Sequence, residues 1–282
     1  MIGVIGSGQV AQHVVAVLEK RGIPFYLFTR QERLPLERVG VFVSYNKAVL
    51  PGLMDKHKID LMINCSALRD IAVCDRSPAL AFEANVELAK IIGDKVRQVY
   101  IGTDYVFDQN RDNRVLDEEA KSLGSLSVYG ATKLLGEEAT LERGGIVTRI
   151  SSPWGKFASP MKPHFVDFVV MQTAKLELPN DQFFRPTYLP DVAETLVDLG
   201  ADRTSTGIYH LVNEGKTNWQ NFAITARSLR KNKGAIVGVE RNDKTRPVHG
   251  ALVNTRLPKF RNWMYAMQEY LGGKLAEEGI KR

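Results

Sequence analysis

The chain has 282 residues, of which 44% are apolar and 25% are charged. This length suits one large domain, or a nucleotide-binding domain with a smaller partner, and the composition excludes long disorder and low complexity. The net charge of +6 is spread along the sequence. This spread excludes a basic arm for nucleic acid and suits a polyanionic small-molecule ligand.

The cysteines, the N-terminus and the apolar runs bear on the compartment. Cys65 and Cys74 give neither a disulfide framework nor zinc-binding spacing, so we expect no metal site and a reducing, cytoplasmic environment. The first ten residues lack a charged segment and are interrupted by glycine, which is not typical of a signal peptide. No apolar run approaches the roughly 18 residues of a membrane span, so we expect no membrane partner.

Short β-branched runs alternate with longer amphipathic stretches through the first half of the chain. The runs predict strands at Ile2–Ile5, Pro24–Phe28, Val39–Val43, Asp60–Asn64, Arg97–Gly102 and Ile146–Ile150. The stretches between them predict helices at Gln9–Lys20, Leu50–Lys56, Pro78–Ile92 and Gly130–Glu142. This alternation predicts an α/β protein with a doubly wound parallel sheet of the Rossmann type.

The alternation loosens after Ile150, where proline and aromatic residues become frequent. A late strand within "GIYHLV", from Gly207, is expected to return to the sheet. We therefore predict a sheet domain of residues 1–150 with a returning segment at about 185–217, and a smaller lobe of residues 151–184 and 218–282. In that lobe, Trp219 is expected in the core, and Thr217 or Asn218 is expected to cap a helix.

A glycine-rich loop joins the first predicted strand to the first predicted helix. In "VIGSGQVAQHV", Gly6, Gly8 and Ala11 form G-x-G-x-x-A, a pattern typical of dinucleotide binding. The first glycine permits a tight turn, and the second lets the backbone approach a pyrophosphate at the helix N-terminus. With Gln9 and Val10 between them, these residues predict a cofactor site, although an ordinary strand-to-helix turn gives the same pattern.

The residue after the second predicted strand bears on the choice of cofactor. An acidic residue there would bind the adenosine ribose of NAD, but "LFTRQE" places Arg30 at this position. A guanidinium suits a 2′-phosphate, so NADPH is favoured and NADH remains possible. A surface arginine without this role is the alternative.

Two Tyr-x-x-x-Lys matches occur, and the spacing is expected by chance in a chain of this composition. Tyr129 lies just before a predicted helix and Lys133 one turn further on, so both face the same side. A lysine ammonium beside a phenol brings the pKa of the phenol closer to neutral, which suits a general acid. In the other match, "LGGK" is expected to fray the helix between Tyr270 and Lys274.

The strand predicted at Arg97–Gly102 is followed by Thr103, Asp104 and Tyr105. Ligands of a doubly wound sheet bind beyond the carboxyl ends of its strands, so these residues should face the cofactor crevice. The Thr103 hydroxyl can then bind the substrate oxygen beside Tyr129. For Asp104 and Tyr105, a turn-forming acid and a core aromatic are the alternatives.

Taken together, these motifs resemble the extended short-chain dehydrogenase/reductase superfamily, and within it the dTDP-4-dehydrorhamnose reductase family. The resemblance spans nearly the whole chain. It rests on "GSGQVA" at Gly6, "INCSA" at Ile63, "ANVELAK" at Ala84, "IGTDYVFD" at Ile101, "VYGATKLLGE" at Val128, "RISSPWG" at Arg149, "DQFFRPTYLPDVA" at Asp181, "GIYHLVNEGKTNWQNFA" at Gly207 and "RPVHGAL" at Arg246.

This resemblance implies a role for each matched residue. Tyr129 would be the proton donor, Lys133 its partner and a ribose ligand, and Thr103 the third catalytic member. Asp104 and Tyr105 would touch the sugar. The cofactor channel would be lined by Cys65, Ser66 and Ala67. The implied reaction is reduction of a 4-keto group on a nucleotide-linked deoxysugar by nicotinamide hydride, in a monomer or homodimer.

The chain departs from the family pattern mainly on the substrate side. Ser152 stands where the family usually has tryptophan, and the usual Arg-Pro-x-Asn-Ser reads Arg246, Pro247, Val248, His249, Gly250. Ser152, Arg246 and His249 are therefore candidate substrate residues, with a solvent-facing loop as the alternative for His249. The glycine loop is also shorter than usual and ends in Ala11, and Gln109 replaces a usual glycine.

Two other functions remain open on this fold. A nucleotide-sugar epimerase would hold its cofactor tightly without net redox change, and a non-catalytic subunit similar to the β subunit of methionine adenosyltransferase would retain the same motifs. A 4,6-dehydratase is disfavoured, because those relatives follow the Thr-Asp pair with Glu, whereas this chain has Tyr105.

Overall fold

The computed structural model describes residues 1–29, 41–44, 47–124, 127–157, 165–241 and 244–280, with the backbone alone at 41–44 and 273–280. Its strands are β1 (Ile2–Ile5), β2 (Phe25–Thr29), β3 (Val41–Ser44), β4 (Leu61–Asn64), β5 (Arg97–Thr103), β6 (Ile146–Ile150), β7 (Pro153–Trp154), β8 (Leu176–Pro179), β9 (Phe183–Phe184), β10 (Thr187–Tyr188), β11 (Gly207–His210), β12 (Asn213–Glu214), β13 (Thr217–Asn218), β14 (Ile236–Val239) and β15 (Phe260–Asn262). Its helices are α1 (Gln9–Lys20), α2 (Leu50–Lys56), α3 (Ile71–Arg76), α4 (Pro78–Phe82), α5 (Leu88–Gly93), α6 (Val128–Leu141), α7 (Phe165–Met171), α8 (Leu189–Ala201), α9 (Trp219–Leu229) and α10 (Trp263–Ile280).

Seven strands form one sheet in the order β11-β6-β5-β4-β1-β2-β3. Every pairing in it is parallel, and β11 joins the edge beside β6 with Gly207 opposite Ile146. The chain adds β2 and β3 on one side of β1, then crosses to β4 and continues outward on the other side. This reversal between β1 and β4 is the topological switch point where ligands bind in doubly wound sheets.

Helices cover both faces of the sheet, because its central strands are apolar on both sides. Val4 packs into a core with α1 and α8, whereas its neighbour Ile5 packs into a separate core with α2 and α5. The α/β, doubly wound prediction is therefore confirmed. Among the described helices, none has the length and apolar content that a membrane crossing requires.

The helix predicted at Pro78–Ile92 contains an irregular turn that the sequence pattern did not reveal. The π-helical turn Glu83–Glu87 separates α4 from α5. Within it, the Asn85 side chain donates to Thr132 Oγ1 at 3.0 Å and to the Leu68 carbonyl at 3.1 Å. The Asn85 carbonyl accepts a hydrogen bond from the Tyr100 hydroxyl at 2.8 Å. The turn thus ties α6, β5 and the loop after β4 together beneath the candidate site.

Helix α6 begins earlier than its predicted start at Gly130. Ser127 is the N-cap, and its side chain accepts a hydrogen bond from the Gly130 N–H at 3.1 Å. Tyr129 therefore lies in the first turn of the helix rather than before it. The cap, and not the weak helix propensity of glycine, sets the start.

The smaller lobe has its own apolar core, formed by residues between Trp154 and Leu271. Asn218 caps α9 by accepting from the Asn221 N–H at 2.8 Å, as expected, and half-buried Trp219 packs against this core. The limits of the two predicted domains stay a prediction.

Helix α10 continues through Gly272 and Gly273, so the expectation that "LGGK" frays it is wrong. Packing of its buried face against the lobe core overrides the weak propensity of the glycines. Tyr270 belongs to this core and its hydroxyl donates to Asp167 at 2.9 Å. Tyr270 of the second Tyr-x-x-x-Lys match is accordingly part of the lobe's packing.

Candidate active site

The glycine loop lies at the switch point, directly after β1. Gly6 has a φ of +119°, and a Cβ there would lie 3.1 Å from backbone atoms of Cys65 and Ser66. A larger residue would therefore be strained and would push against the turn after β4. Gly8 is the N-cap of α1, and no described side chain caps this helix. Its first N–H groups are available to an anion.

A cavity of about 210 Å³ opens beside this loop. Every predicted cofactor residue outside the catalytic pair and Arg30 lines it: Gly6, Gly8, Gln9, Val10, Cys65, Ser66 and Ala67. Four further lining residues were not predicted: Ser7, Thr29, Arg69 and Pro153. Thr29 ends β2, so the rule that ligands bind beyond strand ends could have identified it. Arg30 lies outside the described residues.

Cys65 contributes an uncharged group to the cavity wall. Burial raises the pKa of its thiol to about 12, so the thiol stays protonated at neutral pH. The neighbouring Ser66 N–H donates to the Asn64 side chain at 3.2 Å, which holds the turn after β4 in place.

Tyr129 is half-buried, with its ring edge-on to that of Tyr105 at 5.4 Å. Burial raises the pKa of the Tyr129 phenol well above its ordinary value, whereas a hydrogen bond with the Thr103 side chain lowers it. Thr103, at the end of β5, and Tyr129, at the start of α6, are thus brought together. The phenol is protonated at neutral pH and can act as an acid.

Lys133 lies one turn after Tyr129 and is only 2% exposed. Its Nζ donates to the Ile101 carbonyl at 2.6 Å and lies 3.8 Å from the centre of the Tyr100 ring. Burial lowers the pKa of this amine to about 7, although the nearby Glu137 carboxylate raises it. The ammonium and amine forms of Lys133 are therefore both populated near neutral pH, one helical turn from Tyr129.

Asp104 opens a 3₁₀ turn, Asp104–Val106, and is 6% exposed. Its carboxylate accepts from Ser151 Oγ at 2.7 Å and from Thr103 Oγ1 at 3.2 Å. Burial raises the pKa of Asp104 to about 6, while these two hydrogen bonds lower it. Asp104 is therefore both a turn residue and a buried acid bonded to Thr103, and its contact with a sugar stays a prediction.

Cationic and aromatic side chains lie near Asp104, among them Arg246, whose charge lowers the pKa of Asp104 against the larger effect of burial. The Arg246 guanidinium lies 5.5 Å from the Tyr105 ring and 6.0 Å from the Trp219 ring. His249 stacks on Phe183 with ring centres 5.2 Å apart, and its Nδ1 lies 3.4 Å from Lys216 Nζ. His249 is half-buried, and its role in substrate binding stays a prediction.

Comparison with known proteins places this arrangement in a family. The sequence model of the family described as "RmlD substrate binding domain" matches residues 2–272. The chain belongs to this family. The match covers nearly the full length, so both the sheet and the smaller lobe fall within it.

Curated relatives of this RmlD-family chain carry reductase names. It is 26% identical to a dTDP-4-dehydrorhamnose reductase of Streptomyces griseus, over 93% of this chain and 90% of the relative. It is 25% identical to a dTDP-4-keto-6-deoxy-D-glucose reductase of Streptomyces niveus, over 82% of this chain and 78% of the relative.

A solved structure has the same fold as this RmlD-family chain. The crystal structure of dTDP-4-dehydrorhamnose reductase from Bacillus anthracis in complex with NADP superposes with a TM-score of 0.83. The alignment covers 96% of this chain and 98% of that chain at 21% sequence identity. At this identity the likeness shows the fold.

Two departures from the family pattern, at Ser152 and Gly250, lie near Asp104. Ser152 has a φ of +43°, a left-handed conformation that few residues other than glycine adopt. It follows Ser151, which binds Asp104, and precedes Pro153, which lines the cofactor cavity. A Cβ at Gly250 would lie 3.4 Å from Asp104 Oδ2. The structure thus brings Ser152 and Gly250 into the neighbourhood of Asp104.

Several residues of this cleft were not identified as candidates from the sequence. Phe183, Lys216 and Trp219 surround Arg246 and His249 through ring and cation contacts. Phe183 is distant in sequence from Lys216 and Trp219, and all three are distant from Arg246 and His249, so no local spacing pattern indicates them. Within the described ranges, no group of three His, Cys, Asp or Glu side chains is placed to hold a metal ion.

Proposed function

We propose that this chain is an NADPH-dependent reductase that acts on the 4-keto group of a nucleotide-linked deoxysugar. The observation that carries the proposal is the meeting of Thr103, Tyr129 and Lys133 where β5 ends and α6 begins. Lys133 also interacts with Cys65, which lines the cavity beside the glycine loop. The reductase names of the curated relatives support the same reaction class.

The lining of the cavity suits the pyrophosphate of a dinucleotide cofactor. Its loop approaches without side chains at Gly6 and Gly8, and the uncapped N-terminus of α1 suits a pyrophosphate. Gly6, Gly8, Gln9 and Val10 would hold the phosphates. The turn after β4 and Lys133 would hold the nicotinamide half of the cofactor, and Arg30 would bind its 2′-phosphate. When bound, the cofactor supplies hydride to the substrate carbon.

Tyr129 delivers the proton to the substrate oxygen in this proposal. Its phenol is neutral at working pH, because burial holds its pKa high. As the proton leaves, the Lys133 ammonium and the Thr103 hydroxyl stabilise the phenolate that forms. Thr103 also orients the carbonyl oxygen toward Tyr129.

The substrate would lie over Asp104 and Tyr105, between Ser152 and the Arg246–His249 segment. Arg246 suits a phosphate of the nucleotide, because a guanidinium binds phosphate oxygens through paired, charge-assisted hydrogen bonds. Asp104 and Ser152 would contact the sugar, and His249 would contact a sugar hydroxyl or phosphate. A cytoplasmic location and a monomeric or homodimeric state accompany this proposal.

The direct test is NADPH oxidation with a 4-keto-6-deoxy nucleotide sugar. We expect loss of the NADPH nicotinamide absorbance only when the keto-sugar is present, with one NADPH consumed per sugar reduced. Interconversion of nucleotide sugars without NADPH consumption would instead identify an epimerase. No turnover of any keto-sugar, with co-purification of a synthetase, would identify a regulatory subunit.

A binding measurement separates cofactor choice from turnover. NADPH is expected to raise the melting temperature more than NADH at equal concentration, because ligands that bind only the folded state stabilise it by mass action. The Arg30→Ala protein should lose this preference. An equal rise with both cofactors in the unaltered protein would contradict the assignment of NADPH.

A further inference from the structure

Glu137 lies one turn beyond Lys133 on α6 and is only 1% exposed. Its Oε2 accepts two hydrogen bonds from Arg149, from Nε at 3.0 Å and from Nη2 at 2.8 Å. Arg149 is on β6 and is 3% exposed. Two buried charges need each other, so this ion pair is the obvious structural role of Glu137.

The second carboxylate oxygen is not accounted for by that ion pair. Oε1 of Glu137 is buried and has no hydrogen-bond partner among the described residues. It lies against Gly102 of β5, where an added Cβ would clash with it. The preceding residue, Ile101, provides the carbonyl that Lys133 Nζ binds. The free oxygen and the ammonium therefore lie over adjacent residues of one strand.

We infer that Glu137 is a positioning residue for the reductase proposed above, and that its free carboxylate oxygen keeps Lys133 in the ammonium form. Lys133 needs this form to stabilise the Tyr129 phenolate. The inference rests on the proposed function for its catalytic consequence. The electrostatic link between the two side chains can be measured without any substrate.

The other groups that face Lys133 cannot replace Glu137. From β5, the Tyr100 ring lies under Nζ, and burial raises the pKa of its hydroxyl well above the ordinary value, so it is neutral. From the turn after β4, the Cys65 thiol is also neutral at working pH. Among the groups that oppose the effect of burial on the Lys133 pKa, Glu137 has the largest influence.

The charged groups around Arg149 do not bind the Oε1 atom of Glu137. Arg149 engages only Oε2 and leaves its own Nη1 without a hydrogen-bond partner among the described residues. His210, opposite Arg149 on β11, is held neutral because burial, and next the Arg149 charge, lower its pKa to about 4. Glu118 accepts from the His210 and Thr255 N–H groups. Arg149 is therefore the one cation of this group in contact with Glu137.

The experiment compares Glu137→Gln with Glu138→Gln, a matched change at the exposed neighbouring residue. Lysine labelled with ¹³C at Cε reports the titration of Lys133 by NMR, and the Lys133→Arg protein assigns the signal. We expect Glu137→Gln to lower the titration midpoint by about one pH unit, a tenfold change in the ratio of the two forms. Glu138→Gln should leave the midpoint unchanged.

The same proteins are then assayed for kcat between pH 5 and 9. Since the reduction needs the ammonium form of Lys133, the fall of kcat at high pH should move to lower pH in Glu137→Gln by the same amount. At the lowest pH, kcat of Glu137→Gln should equal that of the unaltered protein. If the unaltered protein turns over no keto-sugar, the proposed function fails and the NMR midpoint alone decides the inference.

A purely structural role gives a different result. The melting temperature of Glu137→Gln would fall with the Lys133 midpoint unchanged, or kcat would fall equally at every pH, and either outcome overturns the inference. Should Glu137→Gln fail to fold, Glu137→Asp decides, because it keeps the pair with Arg149 but withdraws the carboxylate from Gly102. Its midpoint should lie below that of the unaltered protein, and an unchanged midpoint overturns the inference.

Discussion

The floor and the rim of the cleft are held together by different forces. On the floor, Thr103, Asp104 and Lys133 are buried and fixed by hydrogen bonds to each other and to strand backbone. On the rim, Arg246 and His249 are half-buried and contact aromatic rings. Buried, hydrogen-bonded groups tolerate little change, whereas a partly exposed rim can vary. Chemistry should therefore depend on the floor, and substrate selection on the rim.

Lys133→Met should have the largest effect, because it removes the cation that stabilises the phenolate. We expect kcat to fall by about 10²–10³-fold, as for loss of one electrostatic group in an active site. Stopped-flow or steady-state NADPH oxidation measures this. A fall in kcat of less than about threefold would contradict the claim that Lys133 takes part in the chemical step.

The same change should stabilise the fold, because it replaces a buried ammonium with an apolar chain of similar size. The sign follows from the Lys133 pKa, which is lowered from 10.5 to about 7 in the folded protein. Between these values the unfolded chain binds the proton and the folded chain does not, so wild-type stability rises with pH. The gain in melting temperature from Lys133→Met should therefore be larger at pH 6 than at pH 9.

Two glycines of the glycine-rich loop give a matched pair with different expected consequences. Gly6→Ala forces a side chain into a φ of +119° and against the Cys65 backbone, and should cost roughly 1–3 kcal/mol of stability. Gly8 has a φ of −76° and open space where a Cβ would lie. Gly8→Ala should fold normally but bind NADPH about tenfold more weakly, by about 1.4 kcal/mol.

Calorimetry with NADPH and thermal melting check this pair. Equal melting temperatures for both variants would show that the Gly6 turn is not under steric constraint. Unchanged NADPH affinity in Gly8→Ala would show that the backbone of the loop does not approach the cofactor.

Rim variants should give the smallest effects and should change KM rather than kcat. Arg246→Met is expected to raise KM for the keto-sugar by about tenfold, and His249→Gln by about threefold, since each removes one polar contact to the substrate. Steady-state kinetics at several substrate concentrations separates the two constants. A large fall in kcat at unchanged KM for either variant would contradict the claim that rim residues act on substrate binding and not on the chemical step.

The floor was largely predictable from the sequence. Apolar β-branched runs predicted β1 and β6 at their observed limits, and the ends of the predicted strands indicated Thr103, which is the last residue of β5, and the loop at Gly6. These signals are local, because strand, turn and helix start follow each other in the chain. Helices α3 and α8 were not predicted, although Asp70 caps α3 by accepting from the Val73 N–H at 3.0 Å.

The rim could not be predicted in the same way, because its contacts join distant segments. Phe183 meets His249, and Lys216 meets Asn113, only after β9, β13 and the loop after β5 are assembled. The sequence did indicate Ser152 and His249 as departures from the family pattern. Neither the left-handed conformation of Ser152 nor the stacking of His249 is visible in that pattern.

The central claim is that Tyr129 delivers the proton, and the most direct test is kcat for Tyr129→Phe beside Tyr265→Phe. Tyr265 is an exposed tyrosine at the start of α10, so its change controls for loss of a hydroxyl elsewhere. We expect Tyr129→Phe to lose about 10²–10⁴-fold in kcat with its melting temperature nearly unchanged, and Tyr265→Phe to match the unaltered protein. Turnover of Tyr129→Phe at the rate of Tyr265→Phe would contradict the account.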